Sequence, residues 1–204
     1  MMDDAKCITD ELARLVETEG KDVAVVAHSY GGIVATEGVQ GRSSKATRAQ
    51  AGQKGGVFRI IYIAAFLVPV GSSLCDPLGG TIPPFIPVDE QEMCIMSSPQ
   101  KMFYHDLPPA EQEQWAGEML KSPASTQVAP ITYAAYKFHP VSYLYCTIDQ
   151  ALPYAVQKRM VGTISERYRI SFCTDVLQAS HSPFLSMPDK VLAAVERQLG
   201  IMPR

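Results

Sequence analysis

A serine that could serve as a nucleophile lies in the segment AHSYGG, residues 27–32, which departs by one residue from the pattern G-x-S-x-G. A strand that turns at once into a helix strains the backbone of such a serine, so only small residues fit two positions before and after it. Ala27 and Gly31 satisfy this requirement. The N-terminus of the following helix would favour a developing anion. The pattern predicts a nucleophile at Ser29, and a serine that only caps the helix is the alternative.

A serine hydroxyl needs a base to remove its proton, and the base needs a carboxylate to fix its tautomer. His181 follows the last predicted strand and precedes the C-terminal helix, which makes it the preferred base. His28 adjoins the serine and is expected to point away from it and pack. His105 lies in an irregular segment, and His139 precedes a strand, at the edge of the sheet away from the usual site.

The carboxylate is predicted to be Asp149, which directly follows the predicted strand Val141–Thr147. Open α/β sheets gather their sites at the carboxyl ends of their strands. Asp175, shortly before His181, and Asp76, after the preceding strand, are the alternatives. The three preferred residues follow three different strands, as a convergent site requires.

The elements that must position these residues alternate between strand and helix. An amphipathic helix is predicted over Asp3–Glu19, and a valine-rich strand, buried on both faces, over Asp22–His28. A helix resumes over Gly31–Glu37. Residues 41–56 are polar with four positive charges, which indicates a solvated loop, with an anion contact as the alternative. Further strands are predicted over Val57–Phe66, Val141–Thr147 and Tyr168–Cys173, and further helices over Pro153–Val161 and Pro188–Leu199.

Residues 72–138 lack strand periodicity and contain proline clusters and a helical stretch around Pro108–Leu120. This pattern is typical of a helical or irregular cap inserted into a sheet domain. In the last helix, Val191, Leu192, Val195 and Leu199 are expected to face inward. The sequence therefore predicts an α/β fold, a mostly parallel sheet with helices on both faces, in a single domain over residues 1–204.

The composition describes an ordinary globular protein. The chain has 204 residues, 47% hydrophobic residues and a formal net charge of −3, which favours neither nucleic acid nor an anionic membrane as a partner. The first residues lack a secretory signal, and the longest apolar run, Ile60–Val70, is too short to span a bilayer. Five cysteines without CxxC spacing indicate free thiols in a reducing, cytoplasmic setting and no metal site.

Three segments resemble the signature segments of α/β-hydrolase-fold serine esterases. They are VAHSYGG (26–32), CTIDQALP (146–153) followed by Gln157, and SHSPFLSMP (180–188). The likeness is nearest to the small methylesterase and hydroxynitrile-lyase-like branch, whose cap the segments YHDLPP (104–109) and TYAAY (132–136) also resemble. The resemblance implies that Ser29 is the nucleophile, Asp149 the acid and His181 the base, and that the Tyr30 amide is one oxyanion donor.

One departure from that family concerns the start of the sequence. The family has strands and a His-Gly loop before the first helix, whereas this sequence has no His-Gly dipeptide and only 28 residues before Ser29. The resemblance thus implies a fold shortened at its N-terminus, without the second oxyanion N–H, whose loss costs about 10²–10³ in rate. Strand Val23–Ala27 would become an exposed apolar edge, which a second copy or another chain could cover. A shortened hydrolase, an edge completed by pairing and a remnant without catalysis remain open.

The expected function is that of a serine hydrolase that cleaves a small hydrophobic carboxylic ester through an acyl-enzyme, without cofactor or metal. Phe103, Tyr104 and Trp115 in the cap are expected to bind the substrate, although packing of the cap onto the sheet would explain them equally well. A lyase that uses the same triad, thioester or lactone hydrolysis, and a non-catalytic binding protein are the alternatives.

Overall fold

The computed structural model describes residues 1–201 of the chain. Its strands, in chain order, are β1 (Asp22–His28), β2 (Gly56–Ile63), β3 (Met93–Cys94), β4 (Ser122–Pro123), β5 (Val141–Cys146) and β6 (Phe172–Leu177). Four of them form a parallel sheet in the order β1-β2-β5-β6, and β3 and β4 form a separate antiparallel pair.

Helices connect these strands. In chain order they are α1 (Met2–Leu12), α2 (Gly31–Gly38), α3 (Lys45–Gln50), α4 (Pro99–Phe103), α5 (Pro109–Gly117), α6 (Ser125–Val128), α7 (Tyr154–Tyr168), α8 (Pro183–Ser186) and α9 (Pro188–Leu199). A π-helical turn, Ala13–Thr18, continues α1 and completes the helix predicted over Asp3–Glu19.

Helices cover both faces of the parallel sheet, which confirms the predicted fold class. Successive strand residues point to opposite faces, so Ile60 and Tyr62 pack in one core and Ile61 and Ile63 in the other. The first core is completed by side chains of α2, α7 and the turn after α1, and the second by α9. The sheet is therefore enclosed between two helical layers.

Strand β1 lies at one edge of the sheet and pairs on one side with β2. Within residues 1–201, no strand pairs with its other side. The expectation of burial on both faces is wrong here, because Val26 is 51% exposed. A partner for this edge remains a prediction.

Two local expectations, for the last strand and for α9, are corrected by the structure. The strand predicted at Tyr168–Cys173 is β6, Phe172–Leu177: α7 runs on to Tyr168, and Arg169 ends it in the left-handed conformation. The strand was placed too early because Thr174 and Asp175 are polar, and polar residues are possible in an edge strand, where they can face solvent. In α9, Leu192 is 57% exposed, whereas Ala194 and Gln198 are buried on the inward stripe.

The predicted loop at residues 41–56 contains α3 and a preceding 3₁₀ turn, Gly41–Ser43. Arg48 is buried, and its guanidinium donates hydrogen bonds to the backbone carbonyls of Val16, Lys54 and Gly55. The Arg48 side chain thus binds backbone carbonyl oxygens of the same chain. This differs from both expectations, the solvated loop and the anion contact.

Residues 72–138, predicted as a cap, hold α4, α5, α6 and the short β3–β4 pair, and they add no strand to the parallel sheet. The prediction of one domain over residues 1–204 stays a prediction, and its last three residues lie outside the described range. Among residues 1–201, every helix is too short or too polar to cross a bilayer.

Gly32 is the glycine at which α2 packs closely against the residues that follow β2. A Cβ atom at Gly32 would lie 2.3 Å from the Phe66 carbonyl oxygen and 2.9 Å from Ala65 Cβ. A Cβ atom at Gly31 would meet nothing within 4 Å outside its own helix. The expectation that Gly31 must be small is therefore wrong, and the steric limit applies one residue later.

This difference predicts unequal stabilities for two matched variants. Gly32→Ala forces a methyl group against backbone atoms that cannot yield, and should lower the free energy of unfolding by about 1–3 kcal/mol. Gly31→Ala should leave it unchanged or raise it by up to about 1 kcal/mol, because alanine favours a helix. Urea denaturation measures both, and equal midpoints for the two variants would contradict this packing.

Candidate active site

Ser29 occupies the sharp turn between β1 and α2. Its φ angle is +51°, in the left-handed region that a residue other than glycine rarely adopts. The Ser29 carbonyl oxygen accepts hydrogen bonds from the N–H groups of Gly32 and Phe66, each at 3.0 Å. Because these bonds fix the strained conformation, the hydroxyl is presented at the carboxyl edge of the sheet.

The His181 imidazole bridges Ser29 and Asp149. His181 Nε2 lies 2.8 Å from Ser29 Oγ, and His181 Nδ1 lies 2.7 Å from Asp149 Oδ2. A carboxylate only accepts hydrogen bonds, so this arrangement assigns the proton to Nδ1 and leaves Nε2 free to accept the serine proton. His181 is only 2% exposed. The structure thus brings together the three residues that the sequence predicted to converge.

Asp149 is held in place by the turn that follows β5. Its Oδ1 accepts the N–H groups of Ala151 at 2.9 Å and Leu152 at 2.8 Å, and Gln157 Nε2 approaches its Oδ2 at 3.3 Å. Gln157 is fully buried and also bonds both backbone groups of Cys146. The buried carboxylate therefore has donors around it besides the imidazole, as a buried acceptor requires.

The rival acids are engaged elsewhere. Asp175 lies within β6 and pairs with the Arg197 guanidinium at 2.6 Å. Asp76 accepts hydrogen bonds from the backbone N–H and the hydroxyl of Ser73. Neither takes part in the hydrogen bonds of His181.

His28 packs against His181, as expected from the sequence. It also makes a hydrogen bond that the sequence did not predict. Its Nε2 lies 2.7 Å from the His181 carbonyl oxygen, and the two rings are 4.7 Å apart. Phe184 covers its other side, with ring centroids 4.9 Å apart. Burial, aided by the nearby His181 ring, lowers the pKa of His28 to about 3. His28 is therefore a neutral N–H donor to the His181 carbonyl oxygen.

Two cavities lie beside the hydrogen bonds that link Ser29, His181 and Asp149. Both are bordered by Ser29, His181 and Phe103. The first encloses about 230 Å³ between the sheet edge and residues 72–138. Its walls are mostly apolar and include Phe66, Leu74, Leu78, Phe85, Ile86, Ile95, Met96 and Leu120. The second encloses about 320 Å³ and is bordered by His28, Tyr104, Trp115, Met119, Phe184 and Leu185.

The predicted substrate contacts divide between these cavities. The Phe103 ring stacks on His181 with centroids 5.0 Å apart, whereas Tyr104 and Trp115 border only the second cavity. The sequence reasoning missed most walls of the first cavity, because Ile95 and Met96 lie in an irregular segment without periodicity. Their apolar character next to prolines was the available signal, and it does not distinguish a wall from a packed core.

Tyr30 follows the serine at the N-terminus of α2. Within residues 1–201, its backbone N–H makes no hydrogen bond. Its phenol donates to Asp4 Oδ2 at 2.5 Å, and burial followed by this bond raises the pKa of Tyr30 well above its usual value. The same bond lowers the pKa of Asp4. Helix α1 therefore holds the residue whose amide was expected to bind an oxyanion.

The chain matches the model of the α/β hydrolase family over residues 2–195. The chain belongs to the α/β hydrolase family. It is 32% identical over 203 residues to the α/β hydrolase nvfD of Aspergillus novofumigatus, with 97% of this chain and 78% of that protein covered. The resemblance noted in the sequence is thereby confirmed at the level of the family.

Solved structures share the fold of this α/β-hydrolase chain. A variant of the pyrethroid hydrolase PytH superposes with a TM-score of 0.65 at 18% identity, covering 91% of this chain and 73% of that one. A methylesterase from Arabidopsis superposes with a TM-score of 0.58 at 20% identity, covering 95% and 78%. The expected methylesterase branch is thus represented among proteins of this fold.

Among residues 1–201, no three His, Cys, Asp or Glu side chains are grouped so that they could hold a metal ion. The five cysteines are free thiols in the structure.

The low pKa of His28 predicts acid sensitivity. Below the ordinary histidine pKa of about 6.5, His28 binds a proton in the unfolded chain but not in the folded chain. The free energy of unfolding therefore decreases as the pH is lowered from about 6.5 to about 3. His28→Gln keeps an N–H donor but does not titrate. Urea unfolding at pH 6.5 and pH 5 should show a loss smaller by about 2 kcal/mol in this variant. Equal losses in the variant and the wild type would contradict the assignment.

Proposed function

We propose that this member of the α/β hydrolase family cleaves a small hydrophobic carboxylic ester through a serine acyl-enzyme. The observation that carries the proposal is the continuous chain of hydrogen bonds from Ser29 Oγ through His181 to Asp149, next to an apolar cavity. A serine hydroxyl hydrogen-bonded to a histidine that is oriented by a carboxylate is the arrangement of an activated nucleophile.

In the first half-reaction, Ser29 Oγ attacks the ester carbonyl carbon while His181 Nε2 takes the hydroxyl proton. Asp149 keeps the Nδ1 proton in place and stabilises the imidazolium that forms. The Tyr30 N–H, unpaired within residues 1–201, donates to the carbonyl oxygen as it becomes negative. The carbon–oxygen bond to the alcohol then breaks, and His181 returns the proton to the leaving alcohol.

In the second half-reaction, water attacks the acyl-enzyme and gives a proton to His181 Nε2. The bond between the acyl carbon and Ser29 Oγ breaks, the carboxylic acid leaves, and the proton returns to the serine. Every bond change is completed by these side chains and water, so the scheme needs no cofactor or metal.

The cavities support a hydrophobic substrate. Tyr30 borders the first cavity and not the second, so a carbonyl oxygen at its N–H directs the acyl group into the first cavity. The alcohol then extends toward the second cavity, bordered by Tyr104 and Trp115. With about 230 Å³ available to it, the acyl group is small and apolar.

The proposed nucleophile predicts covalent labelling by a fluorophosphonate probe, which reacts with an activated serine. The wild type should be labelled and Ser29→Ala should not, while Ser97→Ala, at an exposed serine, should be labelled like the wild type. Asp149→Asn should lower kcat for p-nitrophenyl butyrate by roughly 10⁴, because the imidazole then adopts the wrong tautomer. Intact-protein mass spectrometry and steady-state kinetics measure these effects.

An absence of labelling in folded wild-type protein would instead favour a binding protein that kept the fold without catalysis. Labelling that persists in Ser29→Ala would place the reactive group elsewhere. Each outcome is read on protein whose fold is checked by circular dichroism, so unfolding is not mistaken for inactivity.

The assignment of the acyl group to the first cavity predicts a change in chain-length preference. Met96→Trp places a larger ring in that cavity and should lower kcat/KM for p-nitrophenyl octanoate about tenfold more than for the acetate. Leu185→Trp, in the second cavity, is the matched control and should preserve the acyl preference. A change of acyl preference in Leu185→Trp and none in Met96→Trp would exchange the two assignments.

A further inference from the structure

Asp106, in the turn between α4 and α5, bonds the loop that carries His181 from both sides. Asp106 Oδ2 accepts the backbone N–H of Ser180 at 2.8 Å and the hydroxyl of Ser186 at 2.8 Å. Asp106 Oδ1 lies 2.5 Å from the Ser180 hydroxyl. Ser180 immediately precedes His181, and Ser186 ends the short helix that follows it. One carboxylate therefore joins the two ends of the segment that presents the imidazole.

The same turn also contacts the imidazole directly. Phe103, at the end of α4, stacks its ring on His181, and its carbonyl oxygen lies 2.9 Å from the Ser180 hydroxyl. Ser180 is fully buried, so its N–H would lose its partner without Asp106. An unsatisfied buried N–H costs about 1–3 kcal/mol, which a loop can avoid only by moving. Such a movement would displace the residue next to it, His181.

We propose that Asp106 is a positioning residue for the His181 base. It holds the backbone of residues 180–186 where the imidazole reaches Ser29 and Asp149 at once. The inference rests on the proposed function, since positioning matters for turnover only if His181 is the base. It assigns to the turn between α4 and α5 a part in catalysis besides lining the cavities.

The hydrogen bonds of Asp106 can be tested separately from its charge by substitution with asparagine. An asparagine oxygen can accept from the Ser180 N–H and the Ser186 hydroxyl, while its amide NH₂ faces the Ser180 oxygen. The Ser180 hydroxyl then donates to the Phe103 carbonyl oxygen, 2.9 Å away. Asp106→Asn therefore preserves the connection, whereas Asp106→Ala removes it.

The experiment compares kcat and KM for p-nitrophenyl butyrate among wild type, Asp106→Ala and Asp106→Asn. Asp106→Ala should lower kcat about 10- to 100-fold, as expected for a displaced base, with KM changed less than kcat. Asp106→Asn should stay within about threefold of the wild type, and so should Glu111→Ala, which removes an exposed carboxylate of α5. Full kcat in Asp106→Ala, or an equal loss in Asp106→Asn, would overturn the inference.

A spectroscopic readout makes the test independent of turnover. The His181 Nδ1 proton, hydrogen-bonded to Asp149, should give a downfield proton NMR signal that assigns to His181 by its loss in His181→Gln. This signal should persist in Asp106→Asn and broaden in Asp106→Ala, and an unchanged signal in the alanine variant would contradict positioning. If wild type and Ser29→Ala turn over the ester equally, the proposed function fails, and the signal still decides the role of Asp106.

If Asp106→Ala does not fold, Ser186→Ala replaces it, because this variant removes only one of the hydrogen bonds. A threefold or larger fall in kcat together with a broadened His181 signal would support the inference. An unchanged signal and kcat in folded Ser186→Ala would overturn it.

Discussion

Two hydrogen bonds of the buried His181 imidazole, to the Asp149 carboxylate and to the Ser29 hydroxyl, join the loops that follow three different strands. His181 comes from the loop after β6, Asp149 from the turn after β5, and Ser29 from the turn after β1. Because the imidazole has only two nitrogen atoms, both must meet their partners for the arrangement to exist. The loops around the site are accordingly tied down by further hydrogen bonds, from Gln157 on one side and from His28 and Asp106 on the other.

The parallel sheet makes this convergence feasible. In a parallel sheet all carboxyl ends lie at the same edge, so residues distant in sequence can meet there. The strain at Ser29 is tolerated because the backbone of Phe66, from the chain after β2, donates to its carbonyl oxygen. The close approach of that same chain requires a glycine at position 32, whereas position 31 has no such steric limit.

Residues 72–138 lie over the carboxyl edge of the sheet and make the first cavity beside Ser29 apolar. Residues 72–138 supply most walls of the first cavity, and their turn at Asp106 is hydrogen-bonded to the loop that carries His181. The same segment therefore borders the cavity and is hydrogen-bonded to the loop that carries His181. In such an arrangement, a change in the cap would alter the position of the imidazole as well as the shape of the cavity.

Much of this protein was determined by the sequence itself. The valine-rich β1, the turn at Ser29 and the amphipathic pattern of α9 are local properties, and local sterics and periodicity predicted them with nearly correct bounds. The strand at Phe172–Leu177 was misplaced, because an edge strand tolerates polar residues. Helix α3 was missed, because Arg48 is buried partly through its bond to the distant carbonyl oxygen of Val16. The family motifs singled out Ser29, Asp149 and His181 although they are far apart in the chain. Only the tertiary structure decided that their atoms lie within hydrogen-bonding distance, that His28 and Asp106 are hydrogen-bonded to the loop that carries His181, and which side chains line each cavity. Such contacts join residues distant in sequence, and their distances follow from the packing of the whole chain rather than from any local pattern.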